Sequence, residues 1–499
     1  MGLNSGRLHD TVTQGELTTV EAQLSAIDAD VDALFEYAEQ SALVHYIIWD
    51  TALSQCTRGG VDAEITTTTT HFGHFGSVDA DYANPFDNIY PWRDRKLCNV
   101  DITTYQSIYA AGGALLDCVV AWEGDVDFEL DGSNGFVGVY TPEFWGLVKL
   151  LKDGTKWFIG VSSVPISGWT YYEPTIGGRW FGVADGSGIT SKPGLAVVNE
   201  KMAAIHARAT AYDMTLDDIY TWSADTMLMA IEYATLNSQT AIGNGADAVY
   251  VQSIRPYIDE SAVNRVVMTD VQSANFRTGV MIDIGTSDGN YNVARRIVTS
   301  VEDYVPDSAY AIVSFDGAPV DIATTQYVSA HGTSNMLDSD ILSTSGYIGT
   351  ISKCNAYYRG RVAHANYWRY CLGAYRQTGD GGIWIAGSRD AAAAADALNT
   401  GAHANTGFVL PETSGYLASL HMLASGMCPF AKTTGGSGGS ANPVGDYAYV
   451  PSLATGNTVL LVGGAAYNGV FCGRFLGLWL NSSAASNWYI SGLPFLKTP

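Results

Sequence analysis

The chain has 499 residues, of which 47% are hydrophobic, 11% aromatic and only 15% charged, with 54 Gly and 29 Tyr. This is ample apolar material for two to four cored domains, in a composition suited to short strands and many turns. A formal net charge of −24 without any Lys/Arg cluster repels a phosphate backbone and speaks against nucleic acid as a partner, and apolar runs such as Val459-Leu460-Leu461-Val462 are far too short for a membrane-spanning helix.

The opening MGLNSGRLHD lacks the apolar core of a signal peptide, so a soluble protein without a secretion address is expected. Cys56, Cys98, Cys118, Cys354, Cys371, Cys428 and Cys472 show no CxxC and no paired metal spacing. They predict buried free thiols made in a reducing cytoplasm.

Leu17, Val20, Leu24, Ile27, Val31, Leu34 and Ala38 recur in alternating steps of three and four, the a/d seam of a heptad helix. The spacing predicts a short coiled coil, with Leu at a and Ile at d leaning toward three or more strands; one amphipathic helix packed on its own domain is the alternative. A Thr run (Thr66 to Thr70), HFGHFG and SVDADYANPFDN then read as a connector. His71 and His74 in it read as loop histidines, having no carboxylate or cysteine at fixed spacing to make a metal site.

From about 95 to 200, short alternating runs are separated by Gly turns. In VAWEGDVDFELDG, Glu123, Asp125, Asp127, Glu129 and Asp131 fall on one face of an expected strand, with Val126, Phe128 and Leu130 on the other. Such a row suits Ca²⁺ or a glycosidase acid–base pair, and equally a solvated strand face. Residues 200–243 change to a helical pattern. Thr215 is placed to cap a helix with Asp217 and Asp218 in its first turn, and Ser223 to cap a second bearing Met227, Leu228, Ile231, Ala234 and Thr235 on one face. Asp217, Asp218 and Glu232 also allow a calcium reading, but no tight acidic loop accompanies them, and capping and surface roles are the reading preferred. Alternating strands return over 262–332 and read as a small β-module inserted into a host domain. The host resumes after about 345 with YYRGRV, GGIWIAG, an Ala-rich helix opened by Ser388 and stopped near Gly401, and TVLLVGG.

No nucleophile elbow, P-loop, dinucleotide fingerprint or zinc-protease helix is present, so the expectation is a non-enzyme without cofactors. The informative segments are TLDDIYTWSADTMLMAIEYATLNSQTAIGNG (Thr215 to Gly245), YRGRVAHANYWRYCLG (Tyr358 to Gly373), GFVLPETSG (Gly407 to Gly415) and the block from Gly445 to Phe495. As a set they resemble the C-type-lectin-like domain of phage tail receptor-binding proteins whose C-terminal segment is varied by diversity-generating retroelements, similar to major tropism determinants. IYPWRDRKLCNV and LDGSNGFVGVYTPEFW resemble the upstream portion of such tail proteins. The recognisable blocks cover roughly half of the chain. It departs from the pattern at Ala465-Ala466, where an aromatic is usual, and at Ala365, where a Trp is common.

The resemblance implies that Gly463-Gly464, Gly473, Phe475, Trp479 and Ile490 are scaffold. It places Tyr467, Val470, Phe471, Leu476, Gly477, Leu478, Asn481, Asn487, Trp488 and Tyr489 at the receptor. The residues themselves agree: Tyr and Trp give large contact area at little rotamer cost, and Ser, Asn and Gly give adaptable hydrogen bonds. A β-edge whose aromatics fill the last core explains the same residues without a partner.

The resulting expectation is an α+β, β-rich chain. It divides into a trimerising helix or coiled coil (1–50), a linker (51–95), a β-rich domain (96–200), a lectin-like receptor-binding domain (201–261 and 333–499) and the inserted β-module (262–332). By resemblance it is a virion tail-fibre or tail-tip adhesin, homotrimeric, assembled in the host cytoplasm, joined to other tail proteins by its N-terminus and to a host cell-surface receptor by its C-terminus, with no membrane insertion. The rival is a tail polysaccharide depolymerase with Glu123 and Asp127 as acid and base.

Overall fold

The computed structural model describes residues 43–66, 84–242, 254–287, 290–332, 334, 356–364, 367–379, 381–389, 392, 402–423, 430–436, 444–450, 456–465, 468, 471–486 and 489–499. Strand accounts for 44% and helix for 16%. The described helices are α1 (Ile102–Ala111), α2 (Met202–Thr210), α3 (Ile219–Tyr233), α4 (Ser238–Ile242) and α5 (Asp270–Ser273).

Three sheets make up the body, and the first and third of them pack on α3. The first has five strands in the order 55–58, 44–50, 156–162, 144–150, 170–172. A second, of six strands, runs 215–216, 494–496, 175–178, 136–141, 96–100, 119–122, so the strand at the chain's end, Pro494–Leu496, is inserted between Thr215–Leu216 and Thr175–Gly178. The third and largest runs 403–409, 382–386, 368–376, 458–463, 473–478, 447–449, 415–421, 430–434, with Ile490–Ser491 pairing in parallel to Trp368–Arg369.

The central strands of the large sheet, 368–376 and 458–463, are buried on both faces, which explains why TVLLVG reads as a continuous apolar run. Successive residues of a strand face opposite ways. Leu460, Val462 and Trp479 join the core shared with α3 and the five-stranded sheet. Val459, Leu461 and Leu478 join the core shared with α2 and the six-stranded sheet. Helix α3 itself is buried on nearly every side, as an all-round apolar helix must be.

The segment between these sheets in sequence forms a five-stranded antiparallel sheet, 265–269, 310–315, 290–303, 281–287, 327–331, over its own core of Val266, Met268, Ile282, Ile284, Val298, Val313 and Val328. It is tied to the body by the Arg295 guanidinium, which donates to the Val197 carbonyl, and by the Ser334 hydroxyl, which donates to the Lys192 carbonyl at 2.6 Å.

The α+β balance and the N-terminal coiled coil expected from the sequence are corrected by this β-rich architecture, in which no described helix is N-terminal. The heptad residues lie outside the described residues, as do His71 and His74 and most of the Ala-rich stretch after Ser388. Within the segment expected to be helical, Val44–Asp50 is instead a strand, pairing along its whole length with Lys156–Ser162. VHYIIWD is dense in β-branched and aromatic residues, and cross-strand packing decides its conformation. The homotrimer expected from the coil has no support in the structure. The two capped helices expected over 215–235 are one: Thr215 is in a strand, Asp218 caps α3 by accepting from the Thr221 N–H at 2.7 Å, and the Ser223 hydroxyl, inside the helix, donates to the Ile219 carbonyl.

Candidate binding surface

Neighbouring strands toward the 430–434 side of the large sheet gather half-buried aromatic side chains. In the strand Tyr447–Tyr449 the alternation Tyr-Ala-Tyr turns Ala448 into the core and leaves Tyr447 and Tyr449 half-exposed on the other side. Tyr447 lies opposite Tyr416 in antiparallel register, their ring centroids 5.3 Å apart. Phe471, on the turn before the strand Gly473–Leu478, completes the group at 5.4 Å from Tyr416 and 5.1 Å from Tyr447, and Tyr449 lies 4.6 Å from Tyr447. Burial raises the phenol pKa of Tyr416 and of Tyr449, with Tyr447 adding to both, so their hydroxyls are uncharged donors at neutral pH.

Beneath the rings the support is buried and polar. On α4, the Gln239 side-chain amide donates to the carbonyls of Cys472 at 2.7 Å and Gly445 at 3.3 Å, next to Phe471 and near Tyr447. Asp446 accepts from the Phe475 N–H at 2.7 Å. Its carboxylate occupies the space where a side chain at Gly473 would be, 2.0 Å from an added Cβ, so only glycine fits there. Asn468 folds the preceding turn by accepting from the Ala465 N–H at 2.7 Å, and its amide reaches the Tyr449 hydroxyl at 3.4 Å.

A second buried layer fixes α3 against the sheets through charges. Asp217 pairs with Arg361 at 2.8 Å and Arg369 at 3.1 Å; Asp225 pairs with Arg95 at 2.5 Å, Arg361 at 2.9 Å and Arg474 at 3.4 Å. Glu232 accepts from both sides of the Arg359 guanidinium at 2.8 Å and from the Tyr358 hydroxyl at 2.8 Å, and Asp218 faces Arg389 at 3.3 Å. The calcium reading of Asp217, Asp218 and Glu232 is thereby corrected: these carboxylates neutralise buried arginines. Among the described residues no cluster of His, Cys, Asp and Glu is disposed to hold a metal ion.

Of the residues expected at the receptor, Tyr467, Val470, Asn487 and Trp488 lie outside the described residues, and of Leu476 the backbone alone is described, within Gly473–Leu478. Phe471 belongs to the aromatic group. Gly477 is half-buried, and Leu478, at 5% exposure, packs into the core. The Asn481 carbonyl accepts from the Val459 N–H at 3.0 Å and the Tyr489 carbonyl from the Trp368 N–H at 2.9 Å; Tyr489 also packs on the core. Among the residues read as scaffold, Trp479 is 2% exposed and Phe475 and Ile490 are buried. Sequence reasoning missed Tyr416, Tyr447 and Tyr449. The Tyr-Ala-Tyr alternation of GDYAYVPS was the available signal for the last two.

The carboxylate row is also corrected. The strand Val119–Trp122 ends before it, Gly124 turns the chain at φ +94°, and Asp125 and Asp131 close local turns by accepting from the Trp122 and Ser133 N–H groups. Glu-Gly-Asp is a turn signal that outweighs the alternation. Burial raises the Glu123 pKa, with Arg179 opposing. Cys56, Cys98, Cys118, Cys371 and Cys472 are free thiols, and burial pushes Cys56 and Cys118 up to about 12.

No protein-family model matches the chain, and no curated protein matches it.

Proposed function

We propose that the protein is a phage tail adhesin that binds a host cell-surface receptor through the aromatic surface around Phe471. The observation that carries this reading is the half-exposed group of Tyr416, Tyr447, Tyr449 and Phe471, held over a buried polar support by Gln239 and Asp446. Rigid aromatic rings lose little rotamer freedom on binding, and fixing them in advance removes part of the ordering cost. With a net charge of −24, long-range attraction to the anionic surface of a cell is not available to the chain, so contact energy comes from ring faces and phenol hydrogen bonds. The resemblance of the terminal blocks to phage receptor-binding proteins supports a place in the virion and attachment to other tail proteins through the N-terminal part. Recognition without bond-making is the activity.

The test is staining of intact bacterial strains by labelled protein, in parallel with a variant carrying Tyr416→Ala, Tyr447→Ala and Phe471→Ala, and competition against adsorption of the phage that carries the gene. Strain-specific staining lost in the variant supports the reading. Equal staining by both proteins, or shortening of surface polysaccharide by the pure protein, overturns it.

A further inference from the structure

At the centre of the charged layer on α3, arginines outnumber the carboxylates they touch. Arg95, Arg361, Arg369 and Arg474 are all buried and all converge on Asp217 and Asp225, linked through shared carboxylates at 2.5 to 3.4 Å. Four guanidiniums thus face two carboxylates. Asp446 lies one step away from this group: the Ser238 hydroxyl accepts from the Arg474 backbone N–H at 2.7 Å and donates to the Asp446 carboxylate at 3.5 Å. Counting it as well still leaves one positive charge in excess.

Deprotonation does not remove the excess, because arginine holds its proton throughout the neutral range. Even for Arg474, lowered to about 9 by burial first and by Arg369 and Arg361 in addition, the charged form dominates at neutral pH. The N–H groups tell the same story. Arg95 Nε and Nη2, Arg361 Nε, Arg369 Nη2 and Arg474 Nη1 are buried and find no acceptor among the described residues. A neutral acceptor would satisfy these donors but leave the charge, and an uncompensated buried charge is strongly destabilising. A small anion does both at once. An excess of one to two charges sets its class as an inorganic monoanion.

We propose that the arginine cluster between α3 and the strands carrying Arg361, Arg369 and Arg474 binds a small inorganic monoanion as part of the folded structure. It is independent of the adhesin reading, since the cluster lies beneath the sheets and not at the aromatic surface.

The test uses the full chain. After exchange from sodium chloride into sodium gluconate at equal ionic strength, the melting temperature should fall by about 2–4 °C and recover on adding bromide. Crystals grown with bromide should show an anomalous peak beside Arg361, Arg369 and Arg474. Arg369→Met, which removes one positive charge, should abolish the halide-specific part of the stabilisation. Should that variant not fold, the bromide peak in the unaltered chain decides alone. Absence of a peak at the cluster, or stabilisation by chloride and gluconate alike, overturns the proposal.

Discussion

The Gln239 side-chain amide donates to the Cys472 carbonyl at 2.7 Å, across 233 residues of sequence, and so joins helix α4 to the turn that carries Phe471. The same amide reaches the Gly445 carbonyl, so one residue positions both sides of the aromatic group. Gln239→Leu leaves buried carbonyls without their donor and should cost about 1–3 kcal/mol of stability. Because Gln239 is buried, any effect of its loss on the proposed binding passes through Phe471 and Tyr447. Urea denaturation together with cell staining should show both losses at once.

Replacing the rings themselves should separate the two effects. Tyr416, Tyr447 and Phe471 are half-exposed, so Tyr416→Ala or Phe471→Ala should change folding stability far less than a core truncation, by about 1 kcal/mol or less. If these rings form the centre of the contact, each truncation should weaken cell binding about tenfold or more. Binding isotherms on whole cells beside thermal melts check this. Unchanged affinity in both variants would move the receptor contact elsewhere.

Two aspartates of α3, one at its N-cap and one in mid-helix, should respond in opposite directions. Burial alone would raise the Asp225 pKa, but Arg95, Arg361 and Arg474 overcome it and hold the carboxyl well below the ordinary range. A depressed folded pKa contributes stability that is complete above the unfolded value, about 3.9, and is lost as pH falls through the folded one. Asp218 is the reverse: burial raises its pKa, with Arg389 and the Thr221 N–H opposing, so its ionised form is a liability relieved by acid. Stability should therefore hold or rise slightly from neutral pH toward about 4 and fall below it. Asp225→Asn should be costly, on the order of 3–5 kcal/mol at neutral pH, by leaving buried guanidiniums uncompensated. Asp218→Asn should cost less, since Asn caps a helix as well as Asp. Urea midpoints as a function of pH for the three proteins test the sign of each effect.

How far the sequence reveals this structure depends on whether a residue's role is local. The continuous apolar run in TVLLVGG and the strand runs between 136 and 162 are local signals, and the strands are there. Val44–Asp50 misleads because its conformation is set by a partner more than a hundred residues away, not by a heptad pattern upstream. The acidic residues mislead for a related reason. Asp217 and Glu232 look like surface or capping residues until Arg361, Arg369 and Arg359 arrive from distant segments. Phe471 is singled out in the sequence only by the resemblance of the terminal block. Tyr416, its neighbour in space, lies in another segment, and only the pairing of Tyr416 with Tyr447 brings it in.

Gly473 offers the sharpest test of the support beneath the aromatic surface. Its backbone does not need a left-handed conformation, and the restriction is steric: an added Cβ would lie 2.0 Å from Asp446 Oδ1 and 2.2 Å from its Cγ. Asp446 is itself fixed by the Phe475 N–H, so it cannot swing away without leaving that donor buried and unpaired. Gly473→Ala should therefore cost about 1–3 kcal/mol, through overpacking and a broken hydrogen bond, and disturb the neighbouring Phe471. Gly456→Ala is the control, since an added Cβ there meets nothing within 4 Å. Near-ultraviolet circular dichroism should change for the first variant and not the second, with cell binding following the same order. A Gly473→Ala protein with unaltered spectrum and binding would show that Asp446 does not hold the surface in place.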